Sequence, residues 1–163
     1  MNGTSRYLVN IDGMSFSACR AVSEVERALG RELRHAVFVV EQGVPVDVEI
    51  DGLDDVCQHF LVRSGEHAVA TARARTTDRG WKIERVAVAL PYRRQALGKR
   101  LVQHMLLEAP QDALVYVHAQ ESALGFWERL GFVADGPRSV EGGIGHRRMS
   151  LRRPTPGSTA GGR

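Results

Sequence analysis

The residues best suited to chemistry lie between Ile83 and Leu101. A strand-like run, Ile83-Glu84-Arg85-Val86-Ala87-Val88, leads through Ala89-Leu90-Pro91-Tyr92-Arg93-Arg94-Gln95 into a helix-like Ala96-Leu97-Gly98-Lys99-Arg100-Leu101. The first backbone N–H groups of a helix have no internal partner, and the macrodipole places about half a positive charge there. A turn that aims those groups outward between Arg and Lys side chains suits a pyrophosphate, and the small residues Ala96 and Gly98 let the anion reach the backbone. The segment holds neither the Walker pattern G-x-x-x-x-G-K-[ST] nor the dinucleotide pattern G-x-G-x-x-G. The spacing alone equally suits an ordinary strand–turn–helix with surface arginines. A second cluster has the opposite sign: residues 41–55 carry Glu41, Asp47, Glu49, Asp51, Asp54 and Asp55 and no Lys or Arg. Either run taken singly is what a solvated face looks like. Together they also suit one site that takes an anionic cofactor and a cationic substrate.

Periodicity supplies the elements that would position these groups. Val22, Val25, Leu29, Leu33, Ala36, Val37 and Val40 recur at steps of three and four, a helical stripe. Gly30 interrupts it, so one helix or two short ones fit, and Gly43 and Pro45 end it. Residues 60–63 and 67–75 read as a hairpin about Ser64-Gly65, and residues 81–89 as a third strand. A helix from Ala96 stops at Pro110, residues 113–118 form a short apolar strand, and residues 122–130 form a helix stopped by Gly131. Residues 132–134 and 146–151 read as two last strands. Residues 1–6 are expected to fray, and the Pro-, Gly-, Ser- and Thr-rich residues 154–163 to be a disordered tail. The order predicts an α+β (mixed α/β) domain over residues 1–153.

Composition narrows the class. A chain of 163 residues and 18.0 kDa fits one domain and needs no metal or disulfide staple. Cys19 and Cys57 lack metal-ligand spacing, no apolar run reaches membrane-spanning length, and no secretory h-region follows Met1. These features predict a reduced, cytoplasmic protein with no metal and no membrane partner. The formal charge of +3 comes from the C-terminal end, because residues 1–141 carry 17 basic residues against 19 acidic ones. With no aromatic interleaving near the arginines, nucleic acid is not expected as a partner.

The turn region also resembles the GNAT N-acetyltransferase superfamily. Val86-Ala87-Val88, Tyr92-Arg93 and Arg93-x-x-Ala96-x-Gly98 follow its pyrophosphate motif [Q/R]-x-x-G-x-[G/A], with Ala96 at the first glycine. Gln120-Glu121-Ser122-Ala123-Leu124-Gly125-Phe126-Trp127-Glu128-Arg129-Leu130-Gly131-Phe132 is similar to N-x-x-A-x-x-F-Y-E-x-x-G-F. Upstream, Val37-Phe38-Val39-Val40-Glu41-Gln42, then Glu49-x-Asp51, Asp54 and His59, resemble a bacterial subgroup with a V-F-V-x-E-Q segment. The Gly143-Ile144-Gly145-His146-Arg147-Arg148-Met149 ending also fits. The resemblance covers roughly residues 31–151.

It implies a mostly antiparallel central sheet, flanked by helices and splayed around an acetyl-CoA cleft. It also implies direct acetyl transfer from acetyl-CoA to a primary amine of a small cationic metabolite or peptide. A non-catalytic acyl-CoA-binding module of the same fold is the alternative. The implied cofactor-binding residues are Val86, Ala87, Val88, Arg93, Arg94, Gln95, Ala96, Leu97, Gly98, Lys99, Gln120, Ala123, Phe126 and Trp127. A strand-end N–H on Val86 or Ala87 would meet the thioester oxygen. Candidate bases are Glu84, His59 and His118. Against them stand an exposed Glu84 paired with Lys82 or Arg85, and two satisfied sheet-end histidines. Glu41, Asp51 and Asp54 would draw in the acceptor. Trp127 stands where the family has a Tyr that protonates the thiolate, leaving Tyr116 or Tyr92 as substitutes. Oligomeric state is not legible, and a homodimer is compatible with all of this.

Overall fold

The computed structural model describes residues 6–153. The tail assigned to residues 154–163 and nearly all of the fraying N-terminus lie outside that range. Two strands precede everything the periodicity detects, β1 (Tyr7–Ile11) and β2 (Met14–Ala21). They form a hairpin whose turn, Asp12-Gly13, has positive φ at both positions (49° and 78°). That Asp-Gly turn between strand-like residues is the signal that would have found the hairpin.

Helix α1 (Glu24–Arg34) starts at Ser23, which accepts from the Glu26 N–H while the Glu26 carboxylate accepts from Ser23, a capping box. It runs without a break into a π-helical stretch, His35–Glu41. Gly30 therefore does not divide the helix. It lets the helix approach the sheet, since a Cβ there would stand 2.9 Å from Thr71 Oγ1. After a short helix α2 (Val46–Glu49) come β3 (Gln58–Ser64), β4 (His67–Thr77) and β5 (Gly80–Val88). Then follow α3 (Leu97–Glu108), β6 (Val115–Gln120), α4 (Leu124–Arg129), β7 (Val133–Glu141) and β8 (Ile144–Leu151). The final hairpin is longer than its apolar pattern predicts. Its Gly142-Gly143 turn has positive φ at both residues, while β7 is mostly exposed and so carries little hydrophobic signal.

The strands form one sheet in the order β1-β2-β3-β4-β5-β6-β8-β7, and only β5 and β6 are parallel. The expected mixed, mostly antiparallel sheet is present. Its core packs Phe16, Phe60, Trp81, Leu101, Met105 and Met149, all nearly inaccessible. No helix among the described residues is long and apolar enough to cross a membrane.

Two histidines are buried away from the cleft. His104 on α3 lies between Tyr7 and Phe60, and neither ring nitrogen has a hydrogen-bond partner among the described residues. His59 on β3 donates from Nε2 to the Asp54 carbonyl at 2.8 Å. Burial lowers both pKa values below the ordinary 6.5. Because the unfolded chain takes up these protons first, stability should hold above pH 6.5 and fall as pH drops through the region below it. The slope should approach about 1.4 kcal/mol per pH unit per histidine. Urea titrations between pH 7 and 5 check this, and His104→Phe should remove about half of the slope.

Candidate active site

The site exists because β5 and β6 part. They pair only over Trp81–Val115, Lys82–Tyr116 and Ile83–Val117, yet β5 continues to Val88 and β6 to Gln120. On its other side β5 carries a bulge. Thr71 pairs with Ala87 and Arg73 with Glu84, leaving Arg85 and Val86 without a ladder partner. Arg85 takes φ +55°, the strained residue that makes the bulge. The parted strands open onto two spaces. A groove of about 450 Å³ runs over Val88, Tyr92, Arg94, Ala96, Gly98, Lys99 and Phe126. A cavity of about 200 Å³ lies between Val86 and Glu84 on one side and His118, Ala119, Gln120 and Ala123 on the other.

The groove ends on the N-terminus of α3. Ala96 is its N-cap in the left-handed region (φ 58°, ψ 17°), no side chain caps the first N–H groups, and no acid lies in the first turn. Gly98 is needed here: a Cβ would stand 3.3 Å from Val88 Cγ2 and 3.4 Å from Phe126 Cε2. Open amides, Arg94 and Lys99 together fit a pyrophosphate. Ala96 carries the cost of left-handed backbone, about 1–2 kcal/mol. Part of it is offset because alanine restricts the unfolded chain more than glycine. Ala96→Gly should therefore stabilise the protein by about 1 kcal/mol, raising Tm by about 2–4 °C in a thermal melt.

Several implied cofactor residues sit differently. Arg93 borders the groove, but its guanidinium is already engaged by protein acceptors. Its Nη1 and Nη2 bind both Glu41 oxygens at 2.5 and 2.7 Å, and its Nε donates to the Val88 carbonyl at 2.9 Å. It therefore fixes the turn, and Glu41 is spent on it. Ala87 faces away, packed against Leu33, Val37 and Phe38. Gln95 lines neither space. Leu97 lines the groove as expected, although it is itself buried. Trp127 is core, with its ring edge-on to Phe126 and Phe132 at 5.1 and 5.0 Å, although it reaches the cavity wall. Gln120 is clasped by Gln42 through reciprocal amide hydrogen bonds.

Of the three candidate bases, two are taken. Glu84 is buried beneath Arg73, Arg75 and Lys82, at 2.8, 3.0 and 3.0 Å. Burial works to raise its carboxyl, but the Lys82 and Arg73 charges and the donated hydrogen bonds outweigh it and hold the group below its ordinary value. It is a weak base there. His59 lies outside the cavity lining. His118 remains: it lines the cavity, and its Nδ1 lies 2.8 Å from Glu141 Oε1. The hydrogen bond from His118 lowers the Glu141 carboxyl, with burial opposing. A carboxylate can only accept, so Nδ1 carries the hydrogen and, in the neutral ring, Nε2 holds the lone pair. Glu141 escaped the sequence reading because it sits at a turn in an exposed strand. The Glu141-Gly142-Gly143-Ile144 hairpin pattern was its only trace. His146 also lines the cavity, but its Nδ1 bonds the neutral Ile144 carbonyl at 2.7 Å. Of the substitute tyrosines, Tyr116 spends its hydroxyl on Thr77 Oγ1 at 2.8 Å, while Tyr92 lines the groove.

The acidic run is not an open lure. Arg34 binds Glu49 at 2.5 Å and Asp54 at 2.7 Å, and Arg73 binds Asp51, Asp54 and Glu84. Asp51 is held far below the usual carboxylate range: burial opposes this, and the bonds from Arg73 and the Leu53 N–H, with the Arg73 and Arg85 charges, overcome it. Asp51 and Asp54 do not line the cavity.

Comparison with known proteins agrees with this geometry. The family model for a GNAT acetyltransferase domain matches residues 46–153. A Bacillus subtilis (strain 168) protein bearing a provisional acetyltransferase name is 33% identical over 136 residues, covering 80% of this chain and 92% of that protein. An acyl-CoA N-acyltransferase from Pseudomonas aeruginosa has the same fold, with a TM-score of 0.75 at 29% identity over 85% of this chain and 99% of that one. Escherichia coli ElaA gives 0.74 at 29% identity over the same shares. The parted strands, the open helix N-terminus and these matches converge: the chain belongs to the GNAT acetyltransferase family.

Proposed function

We propose that the protein transfers an acetyl group directly from acetyl-CoA to a primary amine, with His118 as the base. The observation that carries this is the parting of β5 and β6 between a groove at the open N-terminus of α3 and a cavity that holds His118. The open amides of α3, with Arg94 and Lys99, would hold the pyrophosphate. Val88, Phe126 and Ala123 would line the pantetheine path. Acetyl-CoA supplies an activated carbonyl. The Arg85–Val86 bulge, with no ladder partner on either side, offers a backbone N–H where negative charge develops on the carbonyl oxygen. His118 Nε2 takes the proton from the ammonium, and Glu141 stabilises the imidazolium so formed. His146 has no such carboxylate on its Nδ1, which favours His118. The amine nitrogen then bonds to the carbonyl carbon as the C–S bond breaks, the electron pair leaves with sulfur, and the excess proton left on nitrogen passes to the departing thiolate to give CoA thiol and the neutral amide. A thiolate of thiol pKa about 8.5 departs without an acid at Trp127.

Melting in the presence of acetyl-CoA, CoA, NADH and ATP tests the donor assignment. At about 100 times its Kd a bound ligand stabilises by about 2.7 kcal/mol. The two CoA species should raise Tm and the others should not; an equal response to ATP would contradict the assignment.

A further inference from the structure

Resting on the transferase reading above, we infer that the acceptor is a small amine whose ammonium is its only charge, carried on an apolar alkyl or aralkyl body. The acidic run had predicted a cationic acceptor body, and the structure removes the basis for that. Glu49 and Glu84 border the cavity, but both are already bound by protein cations. The network around them sets Arg34, Arg73, Arg75, Lys82 and Arg85 against Glu49, Asp51, Asp54 and Glu84. Each of these carboxylates has at least two cations within salt-bridge distance, and Lys82 and Arg85 themselves lie on the cavity wall. Only Glu141 is left to meet an ammonium, with one oxygen on His118 and the other unengaged among the described residues.

The remaining wall is mostly apolar, its polar members being Gln42, Gln120 and His146. Phe38, Val44 and Val48 come from one side, and Gly142 and Ile144 from the tip of the final hairpin. The two sides touch: a Cβ on Gly142 would stand 3.1 Å from Val44 Cγ1. The space they border is about 200 Å³, below the roughly 300–1,000 Å³ of pockets that take drug-sized ligands. A second ammonium would therefore be desolvated against valine and isoleucine, in a cavity whose wall already carries Lys82 and Arg85. An alkyl or aryl group would gain by burial at the same place.

The test compares n-pentylamine with 1,4-diaminobutane, which have the same length and differ by a terminal methyl in place of an ammonium. With saturating acetyl-CoA at fixed pH and ionic strength, kcat/KM should be at least ~10-fold higher for n-pentylamine. This holds although the diamine has two equivalent nitrogens. Val48→Glu, at a partly exposed position, places a carboxylate on the apolar wall and should bring the diamine to parity or beyond. Equal or reversed wild-type preference would overturn the inference, as would a ratio unmoved by Val48→Glu. Turnover of neither amine would overturn it too. A retained acetyl-CoA melting shift would then leave the transferase reading standing, and loss of that shift would remove both.

Discussion

Exchanging His118 for glutamine should lower kcat by about 10²–10⁴-fold while leaving acetyl-CoA binding unchanged. Glutamine keeps a polar side chain in the cavity but cannot take a proton at neutral pH. His118 lies outside the α3 turn that would hold the donor's phosphates. Its effect should therefore appear in kcat and not in the melting shift produced by acetyl-CoA. The rise of kcat/KM with pH that a titrating base produces should disappear with it. Glu141→Gln should retain part of the rate, because the imidazole stays in place and loses only its stabilising carboxylate. A variant at His118 that kept full activity and an unchanged pH profile would remove the imidazole from the mechanism.

Arg73→Ala should be the most destabilising single exchange. Arg73 is fully buried, and its guanidinium holds Asp51, Asp54 and Glu84 together. Removing the only group common to three carboxylates leaves them facing one another, with Arg34, Arg75, Lys82 and Arg85 as partial compensation. Breaking a buried pair from one side costs about 3–5 kcal/mol. For a chain of this size that is a fall in Tm of about 10 °C or more. The same exchange should loosen the segment between Gln42 and Cys57, which the arginines tie to the sheet, and with it the Val44–Val48 wall of the cavity. Thermal melts of Arg73→Ala and of Arg75→Ala separate the two roles. Arg75 has one carboxylate partner and is partly exposed, so its loss should cost about 1 kcal/mol or less.

The sequence carried the part of the fold that is repeated in patterns. The stripe of α3, the alternation of β5 and the small residues of the turn depend on local chemistry, and all stand where periodicity puts them. The helix N-terminus proposed to meet the phosphates is legible as a structural element for the same reason. A helix N-terminus with Ala96, Gly98 and Lys99 is a local feature. The acceptor end was not legible, because pairings far apart in sequence decide it. Arg73 and Asp51 are 22 residues apart, Glu41 and Arg93 are 52 apart, and Gln42 and Gln120 are 78 apart. Six acids in a row look like an open negative surface until the arginines that neutralise them are placed. The first hairpin was lost through an overlooked Asp-Gly turn. Glu141 was lost because an exposed edge strand carries no hydrophobic period.

The central claim is direct acyl transfer across the gap between β5 and β6, and release of CoA thiol tests it most directly. With acetyl-CoA and n-pentylamine together, thiol should appear at a rate that saturates with amine and matches formation of the N-acetyl product. Without amine it should stay near the uncatalysed background. Thiol release that ignores the amine, or thiol release without formation of the N-acetyl product, would contradict the account.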